Sequence, residues 1–227
     1  MTPDESAKRL EIEHAEAMIE SAMWENKDKD DHQAELDAYN SARKILENLS
    51  GLTPTLEKER NRVLSYCLLR TDEVLMRMDN ENETLERVSG ALKLAENSGD
   101  DVQIARCYLA LGIRLLNQGQ IAEAEKNWRK VFELAEGFDD NDDMQQVLAW
   151  TLLARAHVVN AKSLYNQALA ILVQTEGILI RIKNYAGLAA VHNLYAQVYA
   201  ALGEPDKAEA SRKYAAEYRE LSSKESR

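Results

Sequence analysis

Proline is almost absent from this chain. Three occur in 227 residues, at Pro3, Pro54 and Pro205, and each stands where a helix can begin rather than inside one. Cysteine is scarcer still. Cys67 and Cys107 lie 40 residues apart, at equivalent places in consecutive sequence units. Stacked helices about 8–10 Å apart would hold their Cα atoms beyond the ~7 Å that a disulfide spans. A disulfide framework is excluded, and free, mostly buried thiols in a reducing compartment are expected. No run of about 18 apolar residues occurs, which excludes a membrane-spanning helix. The opening MTPDESAKRL has no apolar core, so a signal peptide is not expected. These absences together predict a cytoplasmic protein. Positive charge is also short: 28 Lys and Arg against 39 Asp and Glu give a net charge of -11. An acidic surface repels phosphate backbones and excludes nucleic acid as the default partner.

Chemistry-bearing motifs are missing as well. There is no GxSxG, no P-loop and no GxGxxG, so no enzyme, cofactor or metal is expected. Of the four histidines, His14, His32, His157 and His192, none forms HExxH or sits near a cysteine at zinc spacing. Asp139 to Asp143 (DDNDD) resembles the start of a calcium loop, but Met144 replaces the required glycine and Trp150 the bidentate glutamate. The better reading is a solvated turn whose acids cap the next helix.

What is present is helical periodicity. From Ala105 to Glu136, Tyr108, Leu111, Gly112 and Leu115 recur at three- and four-residue steps, then Ala124, Trp128 and Val131 do the same beyond the break at Asn117-Gln118-Gly119. Gly112 sits mid-helix, where glycine costs ~1 kcal/mol relative to alanine, and Ala124 is small enough to nest against it. Further helices are expected to about Trp24 (inner positions Leu10, Ala15, Met18, Ile19, Ala22) and over about 32–49 (Ala34, Ala38, Tyr39, Ala42, Leu46). Others follow over about 54–78, 83–97, 144–160, 162–183, 185–202 and from Gly203-Glu204-Pro205 to about Leu221. Asn26 to Asp31 and Asp79 to Asn82 are polar turns. Thr2 with Glu5 forms a capping box.

Tyr108-x2-Leu111-Gly112-x2-Leu115 followed by Gly119-x-Ile121-x2-Ala124-x3-Trp128 resembles a tetratricopeptide (TPR) repeat. Gly203-Glu-Pro205-Asp-Lys-Ala208, with Tyr195-Ala196-x2-Tyr199 before it, is a second match. The units recur every 40 to 50 residues, similar to the extended repeats of kinesin light chain and of bacterial peptide-sensing regulators. The resemblance implies an all-α fold: a right-handed superhelix of about five antiparallel helix hairpins (about 3–50, 54–97, 101–136, 144–183 and 185–222). These would form one repeat domain over 1–222, with a polar tail at 223–227.

The resemblance also implies a concave groove lined by the first helix of each pair. Its candidate residues are Tyr66, Leu69, Glu73 and Met76, then Arg106, Leu109, Ile113 and Leu116. Trp150, Leu153, His157 and Asn160 follow, then Asn193 and Gln197. Such a surface suits a peptide or helix of a partner protein, with Leu109, Ile113 and Trp150 as anchors. Alternatives are that several of these residues pack between hairpins, or that the chain is a peptide-sensing regulator or a self-associating scaffold. The clamp that binds a terminal carboxylate in one TPR subtype is argued against, because Leu109 and Ile113 occupy its places and Asn193 alone fits. The apolar stripe Tyr214, Ala215, Tyr218 and Leu221 makes the C-terminal helix a candidate homodimer surface.

Overall fold

The computed structural model describes residues 2–26, 31–78 and 84–225. Among these every regular element is an α-helix: α1 (Pro3–Asn26), α2 (His32–Asn48), α3 (Pro54–Arg77), α4 (Thr84–Ser98), α5 (Asp101–Asn117), α6 (Ile121–Ala135), α7 (Asp142–Ala161), α8 (Tyr165–Arg181), α9 (Tyr185–Ala201) and α10 (Pro205–Glu225). The expected turn at 79–82 and most of that at 26–31 lie outside the described residues. The helices group into two compact units, Met1–Ala124 and Glu125–Arg227, with α6 running across the boundary.

The helix starts follow their capping chemistry. Thr2 and Glu5 form the reciprocal box, Thr2 N to Glu5 Oε2 at 2.7 Å and Glu5 N to Thr2 Oγ1 at 3.2 Å. Asp31, Thr53, Asp100, Asn141 and Asn184 each accept a backbone N–H from the first turn of the next helix, a contact worth roughly 1 kcal/mol apiece. Asn141 therefore caps α7, and Asp142 and Asp143 fall in its first turn. That places the helix start two residues before Met144, the start expected from the periodicity.

The turn at Gly119 recurs. Gly119 N donates to Leu116 O at 2.8 Å and Gln120 N to Leu115 O at 2.9 Å, with Gly119 at φ 76°, the left-handed helix end that favours glycine. Ser163 (φ 59°) and Lys183 (φ 54°) adopt the same turn, with Leu164 N on Val159 O at 2.9 Å and Asn184 N on Leu179 O at 3.0 Å. This corrects the expected helix 162–183: Lys162 and Ser163 belong to one turn, Ile182 and Lys183 to the next. Without glycine the turns carried no sequence mark.

In the first unit, α1 and α2 pair, α3 and α4 pair, and α5 lies on α4. The buried stripe of α1 is Ile12, Ala15, Ile19 and Ala22, meeting Tyr39, Ala42 and Leu46 of α2 and Val63, Cys67 and Val74 of α3. Each fully buried isoleucine contributes roughly 1.5–3 kcal/mol. Leu10, read as an inner position, is 63% exposed, because the three- and four-residue steps run through Ile12 instead. On α2, Glu35 takes the inner place expected for Ala34. A second cluster joins Leu69, Val88, Ala91, Ala95, Cys107 and Leu111. Both cysteines are free and buried, and burial pushes each thiol up to about 12.

In the second unit, α7 pairs with α8 and α9 with α10. The inner stripe of α6 begins at Ala124, the last residue of the first unit, and is as read, with Ala124, Trp128 and Val131 fully buried. Ala168, Leu172 and Leu179 of α8 meet Leu188, Val191, Leu194 and Val198 of α9. Gly187 makes this approach possible: an added Cβ would stand 2.7 Å from Leu179 Cδ2. The buried positions of α10 are Ala208, Ser211 and Ala215, small residues at three- and four-residue steps that let it lie close on α9. Of the apolar stripe read on this helix, Ala215 is buried and Tyr218 packs on the core, while Tyr214 and Leu221 stay 51% and 41% exposed. α10 continues to Glu225, beyond the fraying expected after Leu221, with Lys224 bound to Glu220 at 2.8 Å.

Candidate functional site

Each unit holds one cleft that contains residues singled out in the sequence. In the first unit a cleft of about 520 Å³ opens beside the C-terminal half of α3. Met23 and Trp24 reach it from the end of α1, and Glu73, Met76 and Arg77 from α3. Arg70, Glu35 and Arg114 complete the lining. Trp24 is 56% exposed, so a large apolar face stands open beside two methionine side chains.

The polar wall is held in place by ion pairs. Arg77 Nη2 donates to Glu35 Oε2 at 2.7 Å, and Glu35 Oε1 accepts from Tyr39 Oη at 2.7 Å. That bond, together with burial, pushes the Tyr39 hydroxyl far above the usual phenol range, burial being the larger cause. Arg70 Nη1 donates to Glu73 Oε2 at 2.7 Å, and its guanidinium lies 5.0 Å above the Tyr66 ring. Arg106 approaches the same ring at 5.8 Å. Beneath the cleft, Asp72 accepts from Arg114 Nε at 2.7 Å, from Arg87 Nη1 at 3.0 Å and from the Thr84 hydroxyl. Asp72 is 1% exposed, so its partners satisfy a carboxylate that burial alone would penalise. The arginines are thus pre-oriented with their positions set before anything binds.

In the second unit a cleft of about 650 Å³ lies between α9 and α10. Asn193 and Gln197 line it, with Ala196 and Ala200 as the floor and Arg212 and Arg219 along the α10 side. Arg219 Nη2 donates to Asn193 Oδ1 at 2.7 Å. It is the larger of the two by volume, yet its lining includes no large apolar side chain to bury.

The candidates fall in several places. Glu73 and Met76 line the first cleft, and Tyr66 backs it through Arg70 and Met23, whose Sδ lies 4.0 Å from the Tyr66 hydroxyl. Leu69 and Leu153 are 4% and 5% exposed and pack in the cores. Leu109, Ile113 and Leu116 are half-buried along α5 and line neither cleft. Trp150 packs half-buried against the second unit's core, and Asn160 is half-buried. His157 is exposed. Asn193 and Gln197 line the second cleft. Confining the groove to the first helix of each pair from the second hairpin on left out Met23 and Trp24 of α1 and Glu35 of α2; Arg70, Arg77 and Arg114 lie on α3 and α5 but outside the positions chosen there. No periodicity within one helix marks these residues, because they come together from α1, α2, α3 and α5.

No family model matches the chain, and no curated protein does. Solved structures do. BtubC (BKLC) from P. vanneervenii is 17% identical, with 96% of this chain and 92% of that chain covered at a TM-score of 0.56. A putative kinesin light chain of Podosopora anserina with nearly identical TPR-like repeats is 12% identical, covering 91% and 95% at 0.55. Aspartyl phosphate phosphatase F from Bacillus subtilis is 15% identical at a TM-score of 0.66, and this chain spans about half of it: 97% of this chain, 54% of that one. The chain has the all-α, TPR-like helical-repeat fold. Among the described residues no helix is long and apolar enough to cross a membrane.

Proposed function

We propose that the chain is a non-enzymatic protein-interaction module that binds a peptide or helix of a partner protein, and that the cleft of the first unit is where it does so. The observation that carries this is the pairing of an apolar floor, on which Trp24 is exposed, with walls of arginine–carboxylate pairs held in place. Met23, Trp24 and Met76 offer area to bury, at ~25 cal/mol per Å² before the costs of association. Arg70, Arg77 and Arg114 offer directed donors whose conformational freedom is already spent in pairs with Glu73, Glu35 and Asp72. A bound segment with one or two apolar anchors and polar, hydrogen-bonding flanks fits this chemistry.

The test is selection of peptides from a displayed random library on the immobilised chain, followed by affinity measurement with purified variants. Met76→Asp, which puts a desolvated charge on the floor, is expected to weaken a selected peptide at least about tenfold, the effect of ~1.4 kcal/mol. Gln197→Ala in the second cleft is expected to leave it unchanged. Selected peptides that ignore Met76→Asp and lose affinity with Gln197→Ala would move the site to the second unit.

A further inference from the structure

Helix α8 is apolar on two opposite faces. One face, Ala168, Leu172, Thr175 and Leu179, is buried in its own unit. The other carries Ala170, Val173, Gly177 and Ile180, all exposed, with Val173 at 64% and Ile180 at 54%. The steps are three, four and three residues, the spacing of a seam that faces another helix. A helix apolar on both sides is normally covered on both.

This face is also uncharged. Between Tyr165 and Arg181 the one acidic side chain is Glu176, turned inward to Tyr195 at 3.1 Å and His192 at 3.2 Å. Arg181 is drawn to Asp139 O at 2.9 Å and to the Gln145 side chain. Asn166, Gln167 and Gln174 flank the stripe. The outer face of α6 differs, with Lys126, Arg129, Lys130 and Glu133 exposed.

We propose that this face is a self-association surface, on which a second copy of the chain packs its own α8 antiparallel. The stripe is self-complementary. About a two-fold axis beside Thr175, Val173 of each copy stands over Gly177 of the other, and Ile180 over Ala170. Each large side chain meets a small one, as an isologous contact requires. Gly177 has no structural reason within its own unit: an added Cβ there meets nothing within 4 Å, yet glycine in a helix interior is a poor helix former. Its missing side chain is the hole that Val173 fills. Charge does not bar this occupant at an uncharged face. Two copies at -11 each repel through their charged faces and approach with least repulsion through a neutral one. A single helix face buries less than the ~1,200 Å² at the low end of stable interfaces, so the dimer is weak and concentration-dependent.

Sedimentation equilibrium across a concentration series tests this with the full chain. The wild-type average mass is expected to rise from 25.7 kDa toward twice that value. Val173→Glu should hold it at the monomer. Gly177→Leu should do the same while keeping or raising the melting temperature, because the unit has room for leucine and the dimer does not. Leu221→Glu, on the exposed side of α10, should leave dimerisation intact. Mixing Val173→Cys with Gly177→Cys under oxidation should form an interchain disulfide that neither variant forms alone. A chain that stays at 25.7 kDa throughout would overturn the proposal, as would a dimer that survives Val173→Glu or Gly177→Leu, or one that Leu221→Glu abolishes. Capture of an unrelated partner by this face in a chain that does not dimerise would likewise overturn it.

Discussion

The two units are built from the same helix hairpin and fastened by different chemistry. In the first, α1 is tied to α3 by Arg62 on Glu16 through two bonds of 2.7 and 2.8 Å and by Arg9 on Glu59 at 2.9 Å. Arg77 ties α3 to α2 through Glu35, and Asp72 gathers α3, α4 and α5. In the second, α9 has no Asp, Glu, Lys or Arg at all. It is held by aliphatic packing, by the small residues of α10, by rings, with His192 within 5.2–5.6 Å of Tyr214, Tyr218 and Tyr195, and by the contacts of Tyr195 and His192 with Glu176 and of Asn193 with Arg219. Guanidinium–carboxylate pairs leave polar groups standing at a cleft wall, ready to meet a ligand. Alanine and ring packing brings helices close and leaves a cleft whose lining has no large apolar side chain. The hairpin fixes the architecture, and the fastening sets which side chains line each unit's cleft.

Ordered by size, four perturbations sharpen this contrast. Asp72→Ala removes the carboxylate that the buried Arg114 guanidinium pairs with, and should destabilise the first unit by about 3–5 kcal/mol. Hydrogen exchange should quicken in α3, α4 and α5 and hold in α8 to α10; acceleration of both units alike would show that they do not respond separately. Ala215→Leu adds volume where α10 has none to spare, at about 1–3 kcal/mol, and the exchange pattern should reverse. The third is a pH effect in the second unit. Burial lowers the His192 pKa below its usual 6.5, with Glu176 opposing, so the folded unit binds this proton less readily than the unfolded chain. The His192 contribution is therefore whole above pH 6.5 and is lost as pH falls below it toward the folded-state value. His192→Phe should flatten that part of the melting-temperature profile; an unchanged slope would reassign it. Smallest is Arg43→Ala, which breaks an exposed pair with Glu47 and should shift stability by less than ~0.5 kcal/mol in a denaturant titration.

Much of the fold was legible because helices announce themselves through capping and period. The Thr2–Glu5 box, the Thr53 cap and the Ala124–Trp128–Val131 stripe could be read residue by residue. Boundaries went wrong where the marker residue was absent: Ser163 and Lys183 hold left-handed turns that glycine would have advertised. Leu10 misled because hydrophobicity alone does not fix phase, and Ile12 supplied the step that matched. The candidate site was legible in part. Met76 and Glu73 follow from the face of α3, but Trp24 and Glu35 join them from α1 and α2, which periodicity within one helix does not bring together. Leu69 and Leu153 show the opposite case, positions on the right helices whose faces turn into the core.

The binding cleft is tested most directly by where a selected peptide slows hydrogen exchange in the full chain. Slowing is expected at the end of α1 around Met23 and Trp24, at the start of α2 around Glu35, and over Arg70–Arg77 of α3, with α9 and α10 unchanged. Slowing confined to α9 and α10, or none in the first unit at saturating peptide, would contradict it.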